Sequence, residues 1–286
     1  KKMIQKECPN FLIIHLITSL PIILNFLFNF QTKFILRISG YPKLNFFRKF
    51  LWKILGKKLF KIVCPTEATR KYLIKEKIFD VNKIFVLKDP IINISKINLL
   101  KKKQINFWDK NKKYFLAIGR LSKQKNFFFL IKCFNLISKK YPQYNLVIIG
   151  EGELEKKIKN YINFLRLKEK VKILPFQKNI FQYLNQSDCF ILSSLWEDPG
   201  FVLIEAASLG IPIISSDCPN GPTEFLDNGQ GGFLFKSDNV KSMINTFESY
   251  FNSTEDEKKR KILIAKKKSK SYSIFRHYLE LKEILK

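Results

Sequence analysis

The sequence predicts an α/β protein made of two parts, each a parallel sheet wound with helices. From Phe34 onward, short apolar runs of strand length alternate with longer amphipathic stretches. In the second part these runs are apolar along their whole length, as strands covered on both faces are. Between the parts, residues 89–103 are polar, basic and aperiodic, which makes them a candidate linker.

The elements follow in order. Phe11–Phe30 is nearly uncharged and long enough to span a bilayer. His15, Thr18, Ser19, Pro21, Asn25 and Asn29 break it into an apolar run, a turn and a second apolar run, which favours a buried strand, turn and helix; a membrane span over 11–30 is the alternative. Phe34–Ile38 is a strand. Phe46–Leu59 is a helix, with Phe47, Phe50, Leu51, Ile54 and Leu55 on one side and Arg48, Lys49, Lys53 and Lys57 elsewhere. Ile62–Cys64 is a strand, Pro65-Thr66 opens a helix at Glu67, and Ile84–Leu87 is a further strand. Beyond the linker, Tyr114–Ile118, Asn145–Ile149, Val171–Leu174, Cys189–Leu192 and Ile211–Ser215 are five strands of the second part, residues 104–270. Leu130, Cys133, Phe134 and Ile137 share one helix face between them, and Leu154, Ile158, Tyr161, Ile162 and Leu165 another. The last stretch, 271–286, is helical.

Composition narrows the class. Hydrophobic residues make up 46% of the 286 and charged residues 27%, which excludes a disordered or low-complexity chain. Five cysteines without a CxxC pair argue against a disulfide scaffold or a structural zinc site and for a reducing cytoplasm. The net charge is +28, but 45 of the 52 basic residues are Lys in a chain crowded with Phe, Ile and Asn, the pattern of A/T-rich codons. A background of surface lysines is therefore the simplest reading. The distribution is uneven: residues 1–110 carry +17 and residues 111–286 carry +11. With no helix-turn-helix, RNP or zinc signature, no nucleic-acid partner is expected. The first part, 1–88, offers about 90 residues where a full doubly wound lobe takes roughly 120 or more, and the chain opens on Lys1-Lys2. An incomplete N-terminal lobe is the expectation.

Chemistry concentrates at one place in the second part. In a doubly wound sheet of strand order 3-2-1-4-5, the first and fourth strands are neighbours across the switch point, and ligands bind beyond their carboxyl ends. Gly119-Arg120-Leu121-Ser122-Lys123-Gln124-Lys125 follows the first strand here. Glu197-Asp198-Pro199-Gly200-Phe201 follows the fourth and leads into a helix containing Glu205. Arg120 can grip a diphosphate with its planar fork, and Lys125 adds a mobile point charge. The helix N–H groups after Gly200-Phe201 attract phosphate. Glu205 can accept hydrogen bonds from a ribose diol, and Glu197 can address sugar hydroxyls.

The stretches AIGRLSKQKNF, LVIIGEGELEKKI, SDCFILSSLWEDPGFVLIEAASLGIPIISSDCPNGPTEFL and GGFLF closely resemble the nucleotide-binding lobe of retaining glycosyltransferases of family 4. The likeness covers about residues 113–236, with weaker echoes in HLITSLP, FILRISGYPKL and VCPTEAT. It implies a GT-B fold, two Rossmann-like lobes facing each other across a cleft, with the terminal helix 271–286 crossing back to the first lobe. By that resemblance Arg120 and Lys125 match the pair that holds the donor diphosphate, Glu205 the carboxylate on the ribose, and Glu197 the one near the transferred sugar. Gly119 belongs to the same loop, Gly200 and Phe201 form the turn whose amides approach the phosphates, and Phe176 and Gln177 lie where the backbone meets the base. Asp198-Pro199 departs from the family, which commonly has Gly-Phe there. His15 is either the histidine that the first lobe brings near the donor sugar or a buried structural one. His277 reads as a surface or interlobe residue. Thr223 and Glu224 are secondary candidates after the fifth strand, although a helix N-cap explains Thr223 equally.

The resemblance implies sugar transfer with retention from a nucleotide-sugar, a UDP-sugar first, to a glycan or polyprenyl-linked acceptor in cell-surface polysaccharide or glycoconjugate assembly. No cofactor is expected, and no metal: two fixed cations serve the diphosphate, and no DxD-type motif stands in the cleft. The charge of the first part and the basic helix 46–59 fit peripheral contact with an anionic membrane. A GT-B epimerase or phosphorylase would share the lobe but needs further catalytic residues that the sequence does not offer.

Overall fold

The computed structural model of the protein describes residues 1–15, 19–42, 44–102, 109 and 112–286. The chain forms two compact units, Lys1–Asp89 with His277–Lys286, and Pro90–Arg276.

In the first unit, strands β1 (Phe11–Ile14), β2 (Lys33–Arg37), β3 (Lys61–Cys64) and β4 (Ile84–Val86) lie parallel in sequence order. Parallel neighbours need crossovers, which α2 (Ser19–Leu27), α3 (Phe46–Leu55) and α4 (Glu67–Lys75) supply after the short α1 (Lys2–Glu7). The period of two sorts the strand residues. Phe34, Leu36, Ile62 and Cys64 pack with Ile22, Trp52 and Leu73 of the helices, whereas Ile35 and Val63 face Leu281, Ile284 and Leu285 near the C-terminus. Asn45 and Thr66 cap α3 and α4, accepting from the Arg48 N–H at 2.8 Å and the Thr69 N–H at 3.1 Å.

One expectation for this unit holds and one changes. The segment 11–30 holds a four-residue strand and a nine-residue helix; its residues 16–18 lie outside the described residues, and no helix among those described is long and apolar enough to cross a membrane. Helix α3 stops at Leu55, with a 3-10 turn over Gly56–Lys58, and it buries only the Leu51 and Leu55 part of the side the periodicity selects. Trp52 and Leu55 are its buried residues; Phe47, Phe50 and Ile54 stand exposed.

The second unit is a six-stranded parallel sheet of order β10-β9-β8-β5-β6-β7. Its strands are β5 (Lys113–Ile118), β6 (Tyr144–Ile149), β7 (Val171–Leu174), β8 (Cys189–Leu192), β9 (Ile213–Ser216) and β10 (Phe233–Phe235). Helices α5 (Ile94–Leu100), α6 (Phe127–Lys140), α7 (Glu155–Phe164), α8 (Phe181–Leu184), α9 (Phe201–Leu209), α10 (Pro222–Phe225), α11 (Val240–Asn252) and α12 (Glu255–Ser269) surround it, and α13 (Ile274–Leu285) runs from this unit into the first. Phe115, Leu146, Ile148 and Ile191 pack toward α6, α7 and α11; Leu116, Val147, Phe190 and Leu192 pack toward α5, α8, α9 and α12. The expected linker 89–103 is not aperiodic: α5 lies within it, capped by Asn93, and buries Ile97 in the second of these layers. Residue 103 and the expected start of the lobe at 104 lie outside the described residues. The strand β10 adds to the five expected ones.

Strands β5 and β8 are neighbours, pairing Phe115 with Cys189 and Leu116 with Phe190. The chain reverses its winding direction there, so the loops after β5 and β8 leave the same edge side by side. That edge positions the site.

Candidate active site

The loop after β5 is tight. Gly119 lets the Lys125 side chain fold back over the backbone, since a Cβ at Gly119 would meet Lys125 Cε at 2.9 Å. The 3-10 turn Lys123–Lys125 then ends at Asn126 in the left-handed region, where α6 starts. The loop after β8 is fastened to it: the Leu195 N–H donates to Gln124 O at 2.8 Å, Gln124 Nε2 to Trp196 O at 2.9 Å, and Ser193 Oγ to Lys125 O at 2.7 Å. Residues 72 positions apart are thereby brought into contact.

Lys125 Nζ donates to Glu197 Oε1 at 2.5 Å, and Ser194 Oγ donates to the same oxygen at 2.5 Å. Glu197 is 5% exposed. A carboxylate so withdrawn from water needs a compensating charge and hydrogen bonds, and Lys125 and Ser194 supply them. The sequence reading gave Lys125 to the diphosphate and Glu197 to the sugar as separate tasks; the structure binds them to each other. Arg120 is different. It is exposed, and among the described residues its guanidinium has no hydrogen-bond or ion-pair partner.

Gly200 precedes α9 with φ +96°, a conformation that favours glycine. The first N–H groups of α9 follow at Phe201, itself 43% exposed. Glu205 is half-buried, and its carboxylate has no partner among the described residues; burial pushes it up to about 7 from the ordinary 4.5. A carboxyl group in that state gains from a ligand that donates hydrogen bonds to it.

Around this centre, the Phe176 ring is 69% exposed while its N–H donates to Glu151 Oε1 at 3.1 Å. Gln177 accepts from the Tyr183 hydroxyl at 3.1 Å. Thr223 is half-buried inside α10; Gly221 holds the N-cap position, so Thr223 is not the cap. Glu224 adjoins it in the same turn, and its backbone carbonyl accepts from Lys268 Nζ at 2.5 Å. Asp198 is joined to Pro199 by a cis peptide bond and accepts from Asn220 Nδ2.

The remaining candidates belong to the first unit. His15 follows β1 and is exposed, its Nε2 2.9 Å from Ser39 Oγ, which removes the buried structural reading. His277 Nδ1 lies 2.6 Å from Lys88 O. Sequence reasoning passed over Ser194, Gln124, Glu151 and Trp196. Two serines directly after an apolar strand were the available signal for Ser194, because hydroxyls buried there must find partners.

Residues 100–270 match the family of glycosyl transferases group 1. The chain belongs to that family. An uncharacterised glycosyltransferase of Methanocaldococcus jannaschii is 47% identical over 117 residues, 41% of this chain and 29% of that protein. The N-acetylgalactosamine-N,N'-diacetylbacillosaminyl-diphospho-undecaprenol 4-alpha-N-acetylgalactosaminyltransferase of Campylobacter jejuni is 32% identical over 159 residues, 56% of this chain and 42% of that protein. Both matches span less than half the length of these relatives. Among solved structures, Anabaena HepE in complex with UDP superposes with a TM-score of 0.81 at 17% identity, over 99% of this chain and 80% of that one. That likeness concerns the fold, two Rossmann-like parallel α/β units of the GT-B type. The glycosyltransferase family and the switch-point edge meet in the same residues: 100–270 contains Arg120, Lys125, Glu197 and Glu205.

Proposed function

We propose that the protein is a retaining glycosyltransferase that moves a hexosyl or N-acetylhexosaminyl group from a UDP-sugar to a glycan or polyprenyl-diphosphate-linked acceptor in polysaccharide or glycoconjugate assembly. The observation that carries the reading is Glu205: a half-buried carboxylate without a partner among the described residues, pushed up to about 7, on the switch-point edge that also holds Arg120 and the Lys125–Glu197 pair. The diphospho-undecaprenol named for the Campylobacter relative supports the acceptor class, and the UDP bound by HepE supports the donor.

In this reading the ribose hydroxyls donate to Glu205, which favours its charged form. The diphosphate lies against Arg120 and the first N–H groups of α9. Lys125 has three N–H donors, of which Glu197 uses one, so it can serve carboxylate and phosphate together. Charge that grows on the leaving diphosphate meets two cations already in place, and such preorganised electrostatics is often the largest catalytic contribution. Those cations make the reaction independent of a metal, and the departing diphosphate takes the acceptor's proton. Glu197, held by Lys125 and Ser194, faces the transferred sugar. The protein works in the cytoplasm, against the inner face of the cell membrane.

Thermal shift across a panel of nucleotide-sugars tests this. A donor at 100 times its dissociation constant adds about 2.7 kcal/mol to the stability of the unit that binds it. A UDP-sugar should raise the midpoint in that way; a panel in which no nucleotide-sugar does so would overturn the reading.

A further inference from the structure

Helix α3 turns its aromatic side outward. At helical spacing its solvent stripe carries Phe46, Phe47, Phe50, Lys53 and Ile54, and the three phenylalanines are 79%, 80% and 60% exposed. A surface helix ordinarily shows polar residues on that stripe and buries its aromatic ones. Here only Trp52 and Leu55 are buried. The neighbouring helix α2 exposes Leu20 and Leu27 as well, 61% and 65%. Three exposed phenylalanines gathered on one helix mark a place that something covers.

The charge around it has one sign. None of residues 8–66 is acidic, whereas nine are Lys or Arg. Lys49 is spoken for, because it pairs with Glu76 from α4. Lys53 and Lys57 are exposed without such a partner among the described residues, one and two turns beyond the phenylalanines. Arg48 lies over the Trp52 ring, 5.3 Å from its centroid. Aromatic rings beside long cationic side chains are the composition of a helix that rests in a membrane interface: the rings enter the acyl boundary and the lysines reach back to the phosphates. A second copy of the chain fits worse, because pairing α3 with α3 would bring like charges together.

We propose that α3 docks the first unit onto an anionic lipid bilayer, with Phe46, Phe47 and Phe50 seated at the acyl boundary and Lys53 and Lys57 among the headgroups. The proposal deepens the reading of a lipid-linked acceptor and rests on it for its biological sense. Its test nevertheless uses neither donor nor acceptor, so the two can fail separately.

Flotation of the full chain with vesicles provides that test. Phosphatidylcholine vesicles containing phosphatidylglycerol should carry the protein at least about tenfold more strongly than phosphatidylcholine alone, with the difference shrinking in high salt. F46S/F47S/F50S should lose about tenfold or more of that partition, and K53Q/K57Q several-fold. All five positions are exposed, so the circular dichroism of the variants should match the wild type. F50W adds an indole whose emission should move to the blue on anionic vesicles only. A chain that stays in the buffer with both vesicle types would overturn the proposal, even if it bound RNA. So would a triple-phenylalanine variant that floats like the wild type, or a stable dimer that this variant dissociates.

Discussion

Helices α3 and α6 both open on consecutive phenylalanines, and the fold treats them in opposite ways. In α6, Phe127, Phe129 and Phe134 are buried along with Leu130, Ile131 and Cys133. Phe134 packs edge-on against Phe115 of β5, centroids 6.4 Å apart, and Phe129 meets Phe235 of β10 at 6.0 Å. In α3, Phe46, Phe47 and Phe50 face solvent. The difference lies in the neighbours. Helix α6 packs beside α7 and α11, so more than one of its sides is covered, and its first turns are apolar nearly all round. Helix α3 lies on its sheet beside α2 and leaves its outer side bare, and cations punctuate its sequence. Aromatic content therefore does not say where a ring goes; the number of covered sides does.

The sharpest way to break this comparison is stability. Phe134→Ala should cost about 3–5 kcal/mol through the cavity it leaves in the second unit. Phe47→Ala should stay within about 0.5 kcal/mol. Chemical denaturation of both variants would show it, and equal losses would mean that α3 buries its rings after all.

A second contrast sets the free cation against the buried scaffold. Arg120→Ala removes an exposed side chain whose guanidinium has no hydrogen-bond or ion-pair partner among the described residues, so stability should hold within about 0.5 kcal/mol while transfer falls on the order of 10²-fold. Chelation by EDTA should leave the wild-type rate within about twofold if the fixed cations neutralise the diphosphate. A strict requirement for an added divalent ion would contradict that.

The smallest of these effects is a pH dependence. Glu205 is held up to about 7 in the folded chain against an ordinary 4.5, so the folded state binds more protons between those values. Its contribution to stability is complete below the ordinary value and is lost as the pH rises through about 7. Ligand affinity should move the other way, because ribose hydroxyls favour the carboxylate. UDP-glucose, whose phosphates do not titrate in this range, should bind up to about tenfold more tightly at pH 8 than at pH 6. Glu205→Gln should flatten the profile, and a variant that kept the slope would assign it to another group.

Much of this was legible in the sequence where one element decides the matter. The strands β5, β6 and β8 are apolar along most of their length, which reads as a doubly covered parallel sheet, and the strand order puts β5 beside β8. Strand β10 escaped because Phe233–Phe235 is too short, between Gly232 and Lys236, to show a period. Helix α5 escaped because it is seven residues long with Ile97 alone buried, too short to show a helical period. The site shows the same limit. Glu197 and Glu205 are recognisable from their spacing, but the bond from Lys125 to Glu197 joins loops 72 residues apart. Glu205, the carboxylate left without a partner among the described residues, can be told from Glu197, the one that has two, only in three dimensions.

The central claim is that the edge between β5 and β8 holds a nucleotide diphosphate with Glu205 on the ribose. Calorimetric titration of UDP into the wild type and into Glu205→Ala at pH 8 tests it most directly. The account predicts measurable binding by the wild type and a loss of about tenfold or more in the variant, a fair return for a hydrogen bond to a charged group. Equal affinities in the two proteins would contradict it.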